Sequence, residues 1–344
     1  MDIFTRLNRE AEYTKPQLQL ILGAWVMSSV LEKGSKVSVS NGHVEEGEYD
    51  KRSIYSLLYA LYRTMGEVPS ETGELYEFTF NTWGYAWPKA WGPPPNHPRD
   101  PQRFGRNAYS GLFHSDPVKK YIAERDGQVH IVEMGCGTGA GAHHVCKNVL
   151  PRATYEAVDM QQSGISTCNR KFVPQLNGRL RATCADATKL STPSESADFI
   201  AVNETHVTEF AGRLTEEDHA FFKSAYRMMK PGGFLVWGNA IPRATWEPSI
   251  KYLESLGMKL VDRTDVTREA IQARDEDKAR IDIYAAACLD AFHGFKIPVL
   301  GSKKRVEADQ ALKNFARNPG TKLYDVMVDG THSYEVVALQ KLRS

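Results

Sequence analysis

The sequence predicts an α/β fold in which a parallel sheet is covered by helices on both faces. Three observations carry that prediction. From about residue 116, β-rich apolar runs alternate with helical stretches. One such run, "VHIVEMG", leads directly into Gly135-Cys136-Gly137-Thr138-Gly139-Ala140, with a helix beginning near Ala140. The next run, "TYEAVDM", ends on an acid, Asp159, about 20 residues past those glycines.

Residues 1–115 read as a mainly helical cap or dimerisation region. "KRSIYSLLYALYRTM" sets Ile54, Leu57, Leu58, Leu61 and Met65 on one helical face, with Tyr55, Tyr59 and Tyr62 as a second stripe beside it. Such a stripe suits core packing, a dimer interface or a pocket wall. Pro88, Pro93, Pro94, Pro95, Pro98 and Pro101 exclude helix and central strand from 88–101. Trp83, Tyr85, Trp87 and Trp91 make that stretch an ordered wrap instead of a free linker.

The core follows from 116 to 344. Strands are expected at 129–134, 153–159, 179–183, 198–203 and 233–238, with helices at 140–149, 163–173 and 215–229 between them. A helix near 247–256 and a strand near 258–263 come next. A helical insertion then occupies about 264–320: a long helix over 266–292 with Thr267 as N-cap, and another over 303–316. "KLYDVMVDGTHSYEVVAL" reads as two β-rich runs meeting in a hairpin-like turn at Asp329-Gly330.

Composition bounds the function. The 344 residues are 42% apolar and 25% charged with a net charge of +1. That balance argues against nucleic acid or an anionic membrane as main partner. The longest apolar stretch, Leu20–Met27, is far short of the ~20 residues a membrane span needs. Cysteines stand at 136, 146, 168, 184 and 288, an odd count with no C-x-x-C pair. With the charged opening "MDIFTRLNRE", where a signal peptide needs an apolar core, this favours a reducing, cytoplasmic setting.

Glycines at 135, 137 and 139 let a ligand approach the backbone, and a helix N-terminus favours partial negative charge there. NAD and S-adenosylmethionine both satisfy this. Glu133 separates them. A carboxylate at the end of that strand repels a pyrophosphate but suits a cofactor bearing a sulfonium and an ammonium group. Asp159 is placed for the ribose hydroxyls and Met160 for the adenine face. Asp186, with the Ala187 N–H, is placed for the adenine edge, and Asn203 for the methionine end.

Glu133-x-Gly135-Cys136-Gly137-x-Gly139, Asp159, Asp186 and Lys230-Pro231-Gly232-Gly233 together resemble class I S-adenosylmethionine-dependent methyltransferases over about 116–263. The resemblance implies a Rossmann-like sheet of seven strands, mostly parallel, with the last antiparallel. "NTWGYAW", "NETH" and "GTKLYDVMVDGTHSYEV" are similar to small-molecule O-methyltransferases of lipid and polyketide metabolism, the phthiotriol type in particular. Sterol C-methyltransferases are more distant relatives. The expected activity is methyl transfer to a hydroxyl or carboxyl oxygen of a small hydrophobic or aromatic metabolite. C-methylation, or a non-catalytic S-adenosylmethionine-binding subunit, are the alternatives.

Methyl transfer from a sulfonium is an in-line displacement, so the enzyme mainly aligns the acceptor and excludes water. A protonated acceptor also needs a base. His206, three residues past Asn203, is the candidate, with Glu204 in reserve. His143 and His144 read as packing or surface residues. His114, His293 and His332 lie in segments that could fold over the pocket. Asp198, Asn203 and Glu204 lack a convincing metal-ligand spacing, and no metal is expected.

Overall fold

The computed structural model describes residues 37–40, 43–46, 80, 82–205, 213–294, 306, 309–310, 313 and 316–343. The described residues form two compact units. The larger draws on 80–160, 165–274 and 325–343, and the smaller includes 37–46, 161–164 and 275–324. The tyrosine stripe and the Leu20–Met27 stretch lie outside the described residues, as does most of 303–316.

In the smaller unit β1 (Val37–Ser40) and β2 (His43–Glu46) pair antiparallel, with Ser40 opposite His43. The pair is a β element within a region expected to be mainly helical. "VSVS" alternates β-branched and polar residues, and the intervening pair is Asn41-Gly42, a strong hairpin signal.

The larger unit is built on a seven-stranded sheet. Its strands are β3 (His130–Met134), β4 (Thr154–Asp159), β5 (Leu180–Cys184), β6 (Ala197–Asn203), β7 (Met229–Pro242), β8 (Met258–Asp265) and β9 (His332–Lys341). Their order is β5-β4-β3-β6-β7-β9-β8. The pairs from β5 to β7 are parallel, and β9 is antiparallel to both its neighbours. Every residue of β6, "ADFIAVN", is buried, as a central parallel strand covered on both faces requires. The outer strands β5 and β8 are partly exposed.

The α-helices are α1 (Arg103–Gly111), α2 (Asp116–Ala123), α3 (Ala140–His144), α4 (Gln162–Lys171), α5 (Glu216–Met228), α6 (Arg243–Ser255), α7 (Thr267–Gly294) and α8 (Lys322–Val328). Of these, α5 and α6 pack on the sheet. A wider helical turn, Val145–Val149, continues α3. A capping box starts α5, in which Thr215 and Asp218 satisfy each other's backbone N–H groups. The core of this layer holds Phe222, Trp237, Trp246, Leu253 and Leu339, all fully buried. Each such side chain contributes roughly 1.5–3 kcal/mol through burial.

Two local expectations are corrected. Lys322–Val328 is a helix, so Asp329-Gly330 joins a helix to β9 and closes no hairpin. A run of seven residues is too short to distinguish the two periods. Here one residue of the run, Met327, is buried. The cap of α7 comes from Asp265, whose Oδ1 accepts the Thr267 N–H at 2.9 Å, while Thr267 is already helical.

Candidate active site

The strand order reverses between β3 and β6, and open α/β sheets bind ligands outside the carboxyl ends of strands at such a point. The turn after β3 sits there. Gly135, Gly137 and Gly139 have φ values of 90°, 56° and 79°, which L side chains avoid. The N–H groups of Gly135 and Cys136 both donate to the Val158 carbonyl, at 2.7 and 2.9 Å, tying the turn to the end of β4. A Cβ at Gly135 would lie 2.0 Å from Thr205, whose hydroxyl donates to the Gly135 carbonyl at 2.9 Å. Cys136 is buried, and burial first, then Asp159 and Glu133, pushes its thiol well up, away from reactivity.

Glu133, at the end of β3, is fully buried. The Tyr155 hydroxyl donates to its Oε2 at 3.1 Å, and its Oε1 has no partner. Burial pushes the carboxyl up to about 8, with the Asp159 charge adding to the rise. Tyr109, buried on α1, faces both Glu133 and Asn203. Burial holds the phenols of Tyr109 and Tyr155 protonated, so both remain donors.

Asp159 ends β4, and its Oδ2 accepts the Gly137 N–H at 2.8 Å. Met160 beside it is 43% exposed, open for a flat ring. The end of β5 lies alongside, with Cys184 opposite Asp159. Asp186 begins a short turn over Ala187–Lys189. Its Oδ1 accepts the N–H and the hydroxyl of Thr188, at 2.9 and 2.7 Å, and these bonds hold its carboxyl below the ordinary range.

Asn203, buried at the end of β6, accepts the Tyr334 hydroxyl at 3.4 Å. Glu204 follows with φ +48°. Its two carboxylate oxygens accept the Trp83 N–H, each at 2.8 Å, and one also accepts the Thr82 hydroxyl. These bonds tie its carboxylate to the main chain and side chain of residues 82–83. His206 lies outside the described residues. His144 is buried between Ser110 and Asn148, His143 stacks on Phe172 and His114 on Trp91. His332 opens β9, and the side chain of His293 lies outside the described set.

The sheet thus brings together Glu133, Gly135, Cys136, Gly137, Gly139, Asp159 and Asn203, with Met160, Asp186 and Ala187 along the β4–β5 edge. Reading the sequence missed Thr82, Tyr109, Tyr155 and Tyr334. Thr82 and Tyr334 carried a signal, through their places in "NTWGYAW" and "GTKLYDVMVDGTHSYEV". Asp198 sits at the opposite end of β6 from Asn203, bound by Tyr121, the His130 N–H and Lys230. Among the described residues, no three His, Cys, Asp or Glu side chains cluster as metal ligands.

Residues 131–233 match the methyltransferase domain family. The fatty-acid O-methyltransferase of Mycolicibacterium smegmatis is 26% identical over 50% of this chain and 58% of its own length. The phthiotriol/phenolphthiotriol dimycocerosates methyltransferase of Mycobacterium tuberculosis is 26% identical over 51% of this chain and 59% of its own. The chain therefore spans somewhat over half the length of these curated relatives. Among solved structures, the [4+2]-cyclase SpnF superposes with a TM-score of 0.57 at 16% identity, over 90% of this chain and 100% of its own. A putative sarcosine dimethylglycine methyltransferase from Galdieria sulphuraria gives 0.54 at 10% identity, over 76% and 93%. These two share the fold. The resemblance read from the glycine turn and its acids is borne out by the match of residues 131–233 to the methyltransferase domain.

Proposed function

We propose that the protein transfers a methyl group from S-adenosylmethionine to a hydroxyl or carboxyl oxygen of a small, hydrophobic metabolite in the cytoplasm. One observation carries the reading. A buried carboxylate with an unpartnered oxygen, Glu133, stands at the strand-order reversal beside a glycine turn that is closed by Asp159. An orphaned buried acceptor is costly unless a ligand completes it. A cationic ligand meets that need, whereas a pyrophosphate does not.

The residues fit such a cofactor. Glu133 and Asn203 would face its methionine end, and Asp159 its ribose. Met160 would lie on the adenine face, with Asp186 and the Ala187 N–H at the adenine edge. Gly135, Cys136, Gly137 and Gly139 would let it approach the main chain. The cofactor supplies an already activated methyl group, so the chain has to hold the acceptor in line at ~3 Å and exclude water. His206 is the proposed base for a hydroxyl acceptor, since it follows β6 directly. A carboxylate acceptor needs no base. Oxygen is favoured over carbon because the curated relatives include a fatty-acid O-methyltransferase.

Calorimetric titration with S-adenosylhomocysteine, with NADH alongside, tests the cofactor. Micromolar binding of the first alone is expected, and binding of NADH alone would overturn the reading. Carbon NMR of product made with labelled methyl then separates O-methyl from C-methyl. Cofactor binding without transfer to any phenol, alcohol or carboxylic acid would favour a non-catalytic subunit.

A further inference from the structure

Immediately after β6 the chain makes a turn that its own side chain holds in place. Glu204 adopts a left-handed conformation that L residues keep only when their surroundings enforce it. Its N–H donates to the Gly238 carbonyl at 2.8 Å. Its carboxylate clasps the Trp83 N–H and the Thr82 hydroxyl, and Thr82 Oγ1 accepts the Gly84 N–H at 3.1 Å. Gly84 has φ +59°, and a Cβ there would lie 2.5 Å from the Phe104 carbonyl carbon, so this segment rests directly on α1.

The clasp continues through two buried rings. Tyr85 donates to the Ala108 carbonyl at 3.3 Å and packs edge-on against Tyr334, with centroids 5.3 Å apart. Tyr334 in turn donates to Asn203 Oδ1 and faces Glu204 as well. The chain of contacts is thus closed, from Asn203 and Glu204 through residues 82–85 to Tyr334 and back. An apolar side chain could fill the same space without the cost of desolvating a carboxylate. What the polar ring adds is a single geometry.

We propose that Glu204 is a positioning residue for the methyl acceptor. By holding Thr82 and Trp83 against the end of β6, it fixes the aromatic segment and the Asn203 amide beside the glycine turn. It thereby sets where the acceptor lies. The proposal rests on the methyl-transfer reading and makes Glu204 neither base nor cofactor ligand.

Glu204→Gln should lower kcat/KM for the acceptor about tenfold or more, mainly through KM, with the S-adenosylhomocysteine Kd within about threefold of wild type. Thr82→Val should reproduce the effect, and the double variant should lose little beyond either single one, because both break one contact. The pH profile of kcat/KM should keep its shape. Loss of its acidic limb, where protonation of a base lowers the rate, would make Glu204 the base and overturn the proposal. So would an acceptor kcat/KM within twofold of wild type, or an equal loss of cofactor affinity. Hydrogen exchange at the Trp83 amide tests the clasp without turnover: slow in wild type and faster in Glu204→Gln, whereas fast exchange in wild type refutes it. A wild type that binds no S-adenosylhomocysteine brings down the methyl-transfer reading, and this proposal with it, yet leaves the exchange result standing, so the two failures are told apart.

Discussion

The Asp159 carboxylate accepts the backbone N–H of Gly137 at 2.8 Å. One acid therefore closes the glycine turn and also stands at the end of β4, where a ribose would lie. Asp159→Ala should weaken S-adenosylhomocysteine binding by ~1–3 kcal/mol, about 5- to 150-fold. Asp159→Asn keeps an oxygen for Gly137 and should lose less. Titration calorimetry reads both, and unchanged affinity in the alanine variant would remove the ribose role.

Glu133 predicts a pH dependence. Its carboxyl is raised from 4.5 to about 8, first by burial, so between those values the folded chain holds a proton that the unfolded chain has lost. The stability this contributes is fully present below the unfolded value and is lost as pH rises through about 8. Glu133→Gln mimics the protonated form. It should match wild type near pH 5 and unfold at a higher temperature than wild type near pH 9. A cationic ligand favours the ionised form, so binding at pH 7 should release close to one proton. Apparent binding enthalpies in phosphate and Tris should then differ, and equal values would exclude this linkage.

His144 acts on the acid side. The Asn148 amide donates to Nδ1 at 3.1 Å, so the neutral ring carries its hydrogen on Nε2, 2.9 Å from Ser110 Oγ. Burial lowers this imidazole from 6.5 to about 3. Below pH 6.5 the unfolded chain takes up a proton that the folded chain refuses, so stability falls with pH by up to about 1.4 kcal/mol per unit down to about pH 3. Thermal melts of His144→Gln should show a shallower acid limb. An identical limb would mean that another group sets it.

Trp237 is fully buried against Trp246, with ring centroids 4.5 Å apart, and edge-on to Phe222 at 5.5 Å. Trp237→Ala should cost about 3–5 kcal/mol in urea unfolding. Trp237→Phe should cost less than its lost volume suggests, because the Trp237 Nε1–H is buried without an acceptor and its removal relieves that penalty.

His206→Ala should lower turnover roughly 10²-fold or more if His206 removes the acceptor's proton, while cofactor affinity stays near wild type. Preserved turnover would point to a carboxylate acceptor.

The parallel strands were legible because central strands in such sheets are continuous apolar runs. "HIVEM", "YEAVD" and "DFIAVN" each lie within a residue or two of their expected bounds. The glycine turn was legible because three positions demand a conformation that only glycine adopts freely. "KLYDVMV" was not, since so short a stretch fixes no period of its own and tertiary packing chooses between strand and helix. Nor was the hold on Asp186. Its bonds to Thr188 are local, yet an Asp–x–Thr stretch forms them only in the conformation that the end of β5 imposes.

By itself the sequence determined the alternation of strand and helix, the turn at Gly135–Gly139, and the acids at the ends of β3 and β4. Each of these is written in residues near one another along the chain, where sterics and spacing act directly. Only the tertiary structure decided that Glu133 is dry and lacks a partner for one oxygen, and that Glu204 grips a main-chain N–H 121 residues away. Burial and long-range pairing depend on which strands lie side by side. That is settled by packing the whole sheet, and no local stretch of sequence encodes it.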